Sequence, residues 1–172
     1  MDININIENE IANVIIDGVT YVPEGEPVEP SVQSGFLSRC SVYSIADQAI
    51  PDNPQPKIKV VMEGVDYDDN NEFANGRFTP KEAGYYTFSY GVGMLALIAD
   101  KSVDAFLYKN SEKHTKIGCS VPTQVNPHTG KGRDIYLNVG DYVEVFVWHN
   151  SGVVRYVDGD KDVTYLTIHR FA

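Results

Sequence analysis

Cysteine is scarce in this chain: two residues in 172, Cys40 and Cys119. They lie far apart and form no Cys-x-x-Cys pair, which excludes a zinc ribbon and a dithiol redox motif. Two readings stay open for them, a pair of buried free thiols or one disulfide in an oxidising compartment. Basic charge is also short. Fourteen Lys and Arg face 24 Asp and Glu, a formal charge of −10. Such a surface repels a phosphate backbone, so nucleic acid is not expected as a partner. No apolar run approaches the roughly 20 residues that cross a bilayer as a helix, so membrane insertion is not expected. The opening MDININIENE has neither the basic nor the apolar stretch of a secretory signal, which predicts another route to any extracellular site.

Motifs of catalysis are missing as well. There is no phosphate-binding loop or dinucleotide fingerprint, and no Gly-x-Ser-x-Gly elbow. His114, His128, His149 and His169 are scattered without metal-ligand spacing, which argues against a zinc site. The expectation is a protein that needs no cofactor and is not an enzyme. The competing reading, a glycan-active enzyme, requires two carboxylates at a defined separation, which a sequence does not supply.

What is present is apolar and aromatic. Hydrophobic residues make up 42 % of the chain, with 11 Tyr and 7 Phe. That suffices for a packed core without metal or disulfide staples, and aromatic rings suit the half-buried surfaces of sheets. Residues 2–7 alternate Ile with polar side chains, and 12–22 (ANVIIDGVTYV) continue around Asp17-Gly18, a hairpin signal. Residues 23–35 (PEGEPVEPSVQSG) carry three Pro, three Glu and two Gly and read as an extended linker. Three parts follow: a β-arm at 1–22, the linker at 23–35, and a globular head at 36–172.

In the head, short strands alternate with turn clusters. Strands are expected at 39–45, 58–62, 76–78, 85–92, 104–108, 116–121, 133–137, 142–149, 152–157 and 163–171, with an acidic loop at 66–71 and a turn at 80–84. The apolar run at 91–103 fits a buried strand and a turn better than a helix, given its flanking glycines. This spacing predicts an all-β sandwich or barrel. In residues 85–90 (YYTFSY) a period of two sends Tyr86, Phe88 and Tyr90 to one face, the expected core face between two sheets.

The stretch 78–90, FTPKEAGYYTFSY, resembles the signature of the complement-component-1q globular-head family. Phe78, Gly84, Tyr86, Phe88 and Tyr90 occupy its aromatic and glycine positions, with Asp68 and Phe73 at its upstream acidic and aromatic spacing. Met62 takes the place of its leading phenylalanine. The segment from Phe73 to Phe78 is two residues shorter than the family pattern. FLYKN (106–110) and LNVGDYVEVFV (137–147) resemble two further family segments, and TYLTIHRFA its last strand.

The resemblance implies a two-sheet antiparallel jelly-roll sandwich, here carrying a short N-terminal β-arm or hairpin. It also implies a homotrimer, as in the related tumour-necrosis-factor-like proteins, and binding through apical loops or an outer surface. Since some family members bind calcium near the trimer axis, it makes Asp158, Asp160 and Asp162 a candidate calcium site. The alternative is a solvated acidic turn; Val163 and His169 stand where an EF-hand would have Gly and Glu. Trp148 and Asn150, with Arg155 and Tyr156, are the candidate binding residues beside a loop mouth, unless Trp148 closes the core. Arm, linker and head suit a virion or tail-associated phage protein, with the arm on other particle proteins and the head meeting a protein or glycan on a host surface. The alternative is a secreted or surface-displayed bacterial binding protein.

Overall fold

Tyr86, Phe88 and Tyr90 do share one face of their strand, and all three are fully buried. Phe78 meets the Tyr86 and Phe88 rings edge-on, at centroid distances of 5.5 and 6.0 Å. This aromatic group anchors the core of a jelly roll whose elements are all strands among the described residues. The computed structural model describes residues 3–8, 11–16, 19–21, 38–97, 99–121 and 126–171. The chain divides into two units, Met1–Gly35 and Phe36–Ala172.

The first unit is a three-stranded antiparallel meander of β1 (Ile3–Glu8), β2 (Ile11–Ile16) and β3 (Val19–Tyr21). Ile3 stands opposite Ile16, and Ile16 opposite Val19. The expected linker at 23–35 lies outside the described residues.

The described residues of the second unit form thirteen strands in two antiparallel sheets. They are β4 (Arg39–Tyr43), β5 (Gln48–Ile50), β6 (Ile58–Lys59), β7 (Gly64–Asp68), β8 (Phe73–Ala74), β9 (Arg77–Phe78) and β10 (Gly84–Leu95), then β11 (Lys101–Lys109), β12 (Glu112–Val121), β13 (His128–Leu137), β14 (Val143–His149), β15 (Arg155–Val157) and β16 (Tyr165–Arg170). One sheet runs β5-β15-β10-β16-β4-β7, with β13 also paired to β10; the other runs β12-β11-β14-β9-β8, with β6 on β14. Alternate residues of each sheet fill the space between them: Val42, Val92, Leu166 and Ile168 from the first, Val103, Leu107, Val143 and Val147 from the second, all buried.

Several segments depart from the expected pattern. The acidic loop read at 66–71 begins only after Asp68; Asp66 to Asp68 close β7, an edge strand on β4 whose exposure hides any apolar alternation. Asp68 then ties the turn, its two carboxylate oxygens accepting the backbone N–H groups of Glu72 and Phe73 at 2.9 Å each. In the run 91–103, residues 91–95 are the end of the twelve-residue β10, and a turn with positive φ at Ala96 and Asp100 leads into β11. β13 starts at His128, five residues earlier than the pattern suggested, because its glycines at 130 and 132 carry no apolar signal. β5 was not expected at all, β6 stops at Lys59, and β15 begins only at Arg155. The short segment between Phe73 and Phe78 is closed by Asn75-Gly76, both at positive φ (54° and 69°). That is the two-residue turn which suits the twist of a hairpin.

Cys40 is a buried free thiol. Burial first, then the nearby Asp68, Glu72 and Asp69 carboxylates, push its pKa up to about 12. Such a sulfur is packing and not a nucleophile. The Cys119 side chain lies outside the described residues.

Candidate functional site

The strand register places a mixed aromatic and cationic surface on the outside of the six-stranded sheet. Across β11 and β14, Asp104 stands opposite Trp148, Phe106 opposite Phe146 and Tyr108 opposite Glu144. Lys116 of β12 faces Phe106, Lys113 faces Tyr108, and Lys59 of β6 faces Phe146. Residues of the opposite parity, such as Val103, Ala105, Val145 and Val147, point into the core. The Tyr108 and Phe146 rings lie 4.5 Å apart, and Tyr108 meets Phe106 edge-on at 6.3 Å. The Arg77 guanidinium lies 3.8 Å over the Tyr142 ring.

Two carboxylates are set into this face and both are neutralised. Asp104, 7 % exposed, is paired with Lys116 Nζ at 2.7 Å. Gly118 beside it is required by that placement, because a Cβ there would stand 2.3 Å from Asp104 Oδ1. Glu144, 5 % exposed, is held by Lys59 at 3.3 Å and Arg77 at 3.2 Å.

At one end the face opens into a groove of about 340 Å³. Its lining combines Trp148 and Phe106, the latter only 3 % exposed, with Asp104, Gln55, Lys57, Lys113 and Lys116. Lys57 and Lys116 ammonium groups lie 5.2 and 5.9 Å from the Phe106 ring centre. The Trp148 indole is oriented by its Nε1–H, which donates to Asn53 Oδ1 at 2.8 Å. Among the described residues, neither Lys57 nor Lys113 has a carboxylate at ion-pair distance.

Trp148 therefore does not close the core; its neighbours Val147 and His149 do. The other candidate binding residues are not gathered around it. Asn150 accepts the Ser102 N–H at 2.8 Å and braces the start of β11. Arg155 and Tyr156 belong to β15 in the other sheet, Tyr156 being exposed. The lysines and Phe106 were not singled out by sequence, since they come from three separated segments. The alternation of aromatic and basic residues in FLYK and KHTK was the only available signal.

The candidate calcium residues do not converge either. Asp158 Oδ1 accepts the Asp160 N–H at 3.1 Å, and Asp160 Oδ1 accepts the Asp162 N–H at 2.8 Å. Among the described residues no three His, Cys, Asp or Glu side chains form a metal-sized group. The loop is acidic because short carboxylates cap its own turns, and Gly159 lets it touch the backbone of Ala46, where a Cβ would come within 2.4 Å.

One group imitates a catalytic triad. His149, fully buried, lies beside Ser151 and Asp52. Its Nε2–H donates to the Ile50 carbonyl at 3.0 Å, which leaves Nδ1 as the acceptor for Ser151 N–H at 3.2 Å. Asp52 Oδ1 also lies on the Nδ1 side, 3.9 Å away. A general base needs serine and carboxylate on opposite ring nitrogens, so this is a structural cluster.

No protein-family model matches the chain, and no curated protein matches it in sequence. Solved structures do match in fold. Eiger TNF from S. frugiperda superposes with a TM-score of 0.63 at 10 % identity, covering 79 % of this chain and 93 % of that one. Murine APRIL gives 0.59 at 9 % identity, covering 78 % of this chain and 99 % of that one. The globular domain of zebrafish complement 1qA protein gives 0.54 at 17 % identity, covering 78 % and 98 %. At such identities the likeness is one of fold, and the fold is the jelly-roll sandwich shared by tumour-necrosis-factor-like proteins and the complement-1q globular head.

Proposed function

We propose that the jelly roll is a non-enzymatic binding module that works as a homotrimer. The observation that carries this reading is the outer face of the seven-stranded sheet. Tyr85, Tyr136 and Phe171 stand there about half exposed (49, 46 and 57 %), with Tyr85 5.1 Å from Tyr136 and 6.0 Å from Phe171. Tyr67, also exposed, stands apart from this group on the edge strand β7. A contiguous aromatic patch on an otherwise charged chain marks an interface, and closed cyclic symmetry covers it in every copy. Light scattering tests this directly. Three times the monomer mass is expected for the protein, and the monomer mass for Tyr85→Glu combined with Phe171→Glu, with the fold retained by circular dichroism. A monomeric parent protein at micromolar concentration overturns the trimer.

The finer reading is a head displayed on a viral particle and mounted through the N-terminal β-arm at 1–22, with a secreted or surface bacterial binding protein as the alternative. It rests on the layout of the chain. Electron microscopy of particles carrying a tag on the head distinguishes the two.

A further inference from the structure

We infer that the groove between Trp148 and Phe106 binds an acidic saccharide, with a sugar ring against the Trp148 indole and its carboxylate or sulfate between Lys57 and Lys113. The inference rests on reading the domain as a binding module, and does not depend on its being a trimer. Charge complementarity selects the ligand's sign. Five cations (Lys57, Lys59, Arg77, Lys113 and Lys116) share this face with two carboxylates, Asp104 and Glu144, on a chain of net charge −10. Lys59, Arg77 and Lys116 are spent on those carboxylates, while Lys57 and Lys113 at the groove are left to meet an incoming anion.

Three features favour a sugar over other polyanions. A groove of about 340 Å³ is at the small end of ligand sites. The part-exposed Trp148 indole supplies a flat apolar surface on which a ring can lie, with the nearly buried Phe106 ring in the same lining. Asp104 belongs to the groove's lining and is paired with Lys116 through Oδ2; an acidic peptide brings a closely spaced row of carboxylates past it, whereas a saccharide also brings hydroxyls. A long nucleic acid is opposed by the field of the whole chain, whereas a short saccharide carries few charges.

Trp148 is the chain's single tryptophan, so its fluorescence reports on this groove alone. The titration uses four probes: oligogalacturonate, a heparin-derived hexasaccharide, maltohexaose and oligoglutamate. A saturable change in emission is expected with one or both anionic saccharides, weakening with salt, and none with maltohexaose. Lys57→Gln with Lys113→Gln is expected to weaken binding about tenfold or more, as loss of two charge-assisted contacts should, with an unchanged melting temperature. The response persists in the Tyr85→Glu/Phe171→Glu protein, which separates this test from that of the trimer. No saturable change with either anionic saccharide overturns the inference, and so does parental affinity in the double lysine variant. Oligoglutamate binding as tightly as the saccharides replaces the sugar with an acidic peptide. Loss of the response in the monomeric variant overturns a site contained in one protomer.

Discussion

Asn110 and Asp141 hold each other across two turns: Asn110 Nδ2 donates to Asp141 Oδ1 at 2.7 Å, and Asn110 Oδ1 accepts the Tyr142 N–H at 2.9 Å. Asn110 has φ 51° at the tip of the β11–β12 hairpin, and Gly140 has φ 90° in the turn before β14. The Lys-Asn and Gly-Asp segments recognised separately in sequence are thus one structural unit. Lys109 completes it, 2.9 Å from Asp141 Oδ2, as does the Asn138 N–H at 2.8 Å.

These contacts, the Asn110 and Asn138 hydrogen bonds first, hold the Asp141 carboxyl far below the usual carboxylate range. A depressed folded-state pKa stabilises the protein above the unfolded value, and that stability is lost as pH falls below it. Asp141→Ala is expected to cost about 1.5–3 kcal/mol near neutral pH, the range for hydrogen bonds to a charged group. The difference from the parent shrinks as pH falls below the ordinary Asp value. Urea titrations at neutral and acid pH check both; a difference that does not change with pH refutes the electrostatic origin.

Two alanine substitutions should behave oppositely. Gly159→Ala places a Cβ 2.4 Å from the Ala46 backbone, which cannot move aside as a side chain would. A loss of about 1–3 kcal/mol is expected, as for overpacking. Gly132→Ala meets nothing closer than the Phe88 carbonyl at 3.8 Å. It should be neutral or slightly stabilising, because alanine has less backbone entropy to lose. Thermal melts of the two variants decide.

Alkaline pH should destabilise the fold through Cys40. Burial pushes its folded-state pKa up to about 12, from the ordinary thiol value of 9.0. Between those values the unfolded state has lost the thiol proton and the folded state has kept it, so stability falls as pH rises. In a Cys119→Ser background, native alkylation of Cys40 is expected to be slow and to track global unfolding. Rapid alkylation of folded protein contradicts the buried assignment.

Excess Ca²⁺ against chelator should leave the melting temperature where it is. The Asp158 and Asp160 oxygens already cap backbone groups, and a ligand selective for the folded state would raise the melting point. A clear rise revives the 158–162 loop as a cation site.

Legibility differed between core and surface. The aromatic alternation of residues 85–90 could be read directly, because a buried strand face imposes its period on the side chains themselves. β7 and the start of β13 were not legible, since exposed or glycine-rich strands are held by backbone pairing and leave no apolar trace. Asn75-Gly76 was legible in principle as a hairpin dipeptide. Of the candidate site only Trp148 was visible. Asn150 turned out to brace Ser102, and Arg155 with Tyr156 belong to the opposite sheet.

By itself the sequence determined the all-β class, the aromatic core strand and the order of the jelly-roll segments, because each is encoded in local alternation and turn chemistry. Only the tertiary structure decided which surface residues become neighbours. Phe106, Lys113 and Trp148 share a groove because β11 pairs with both β12 and β14 in one particular register, and Lys57 joins them from the residue before β6, which pairs with β14. A shift of a single residue would send those side chains to the other face. Cross-strand register is a long-range property, fixed by packing of the whole sandwich, and no short stretch of sequence contains it.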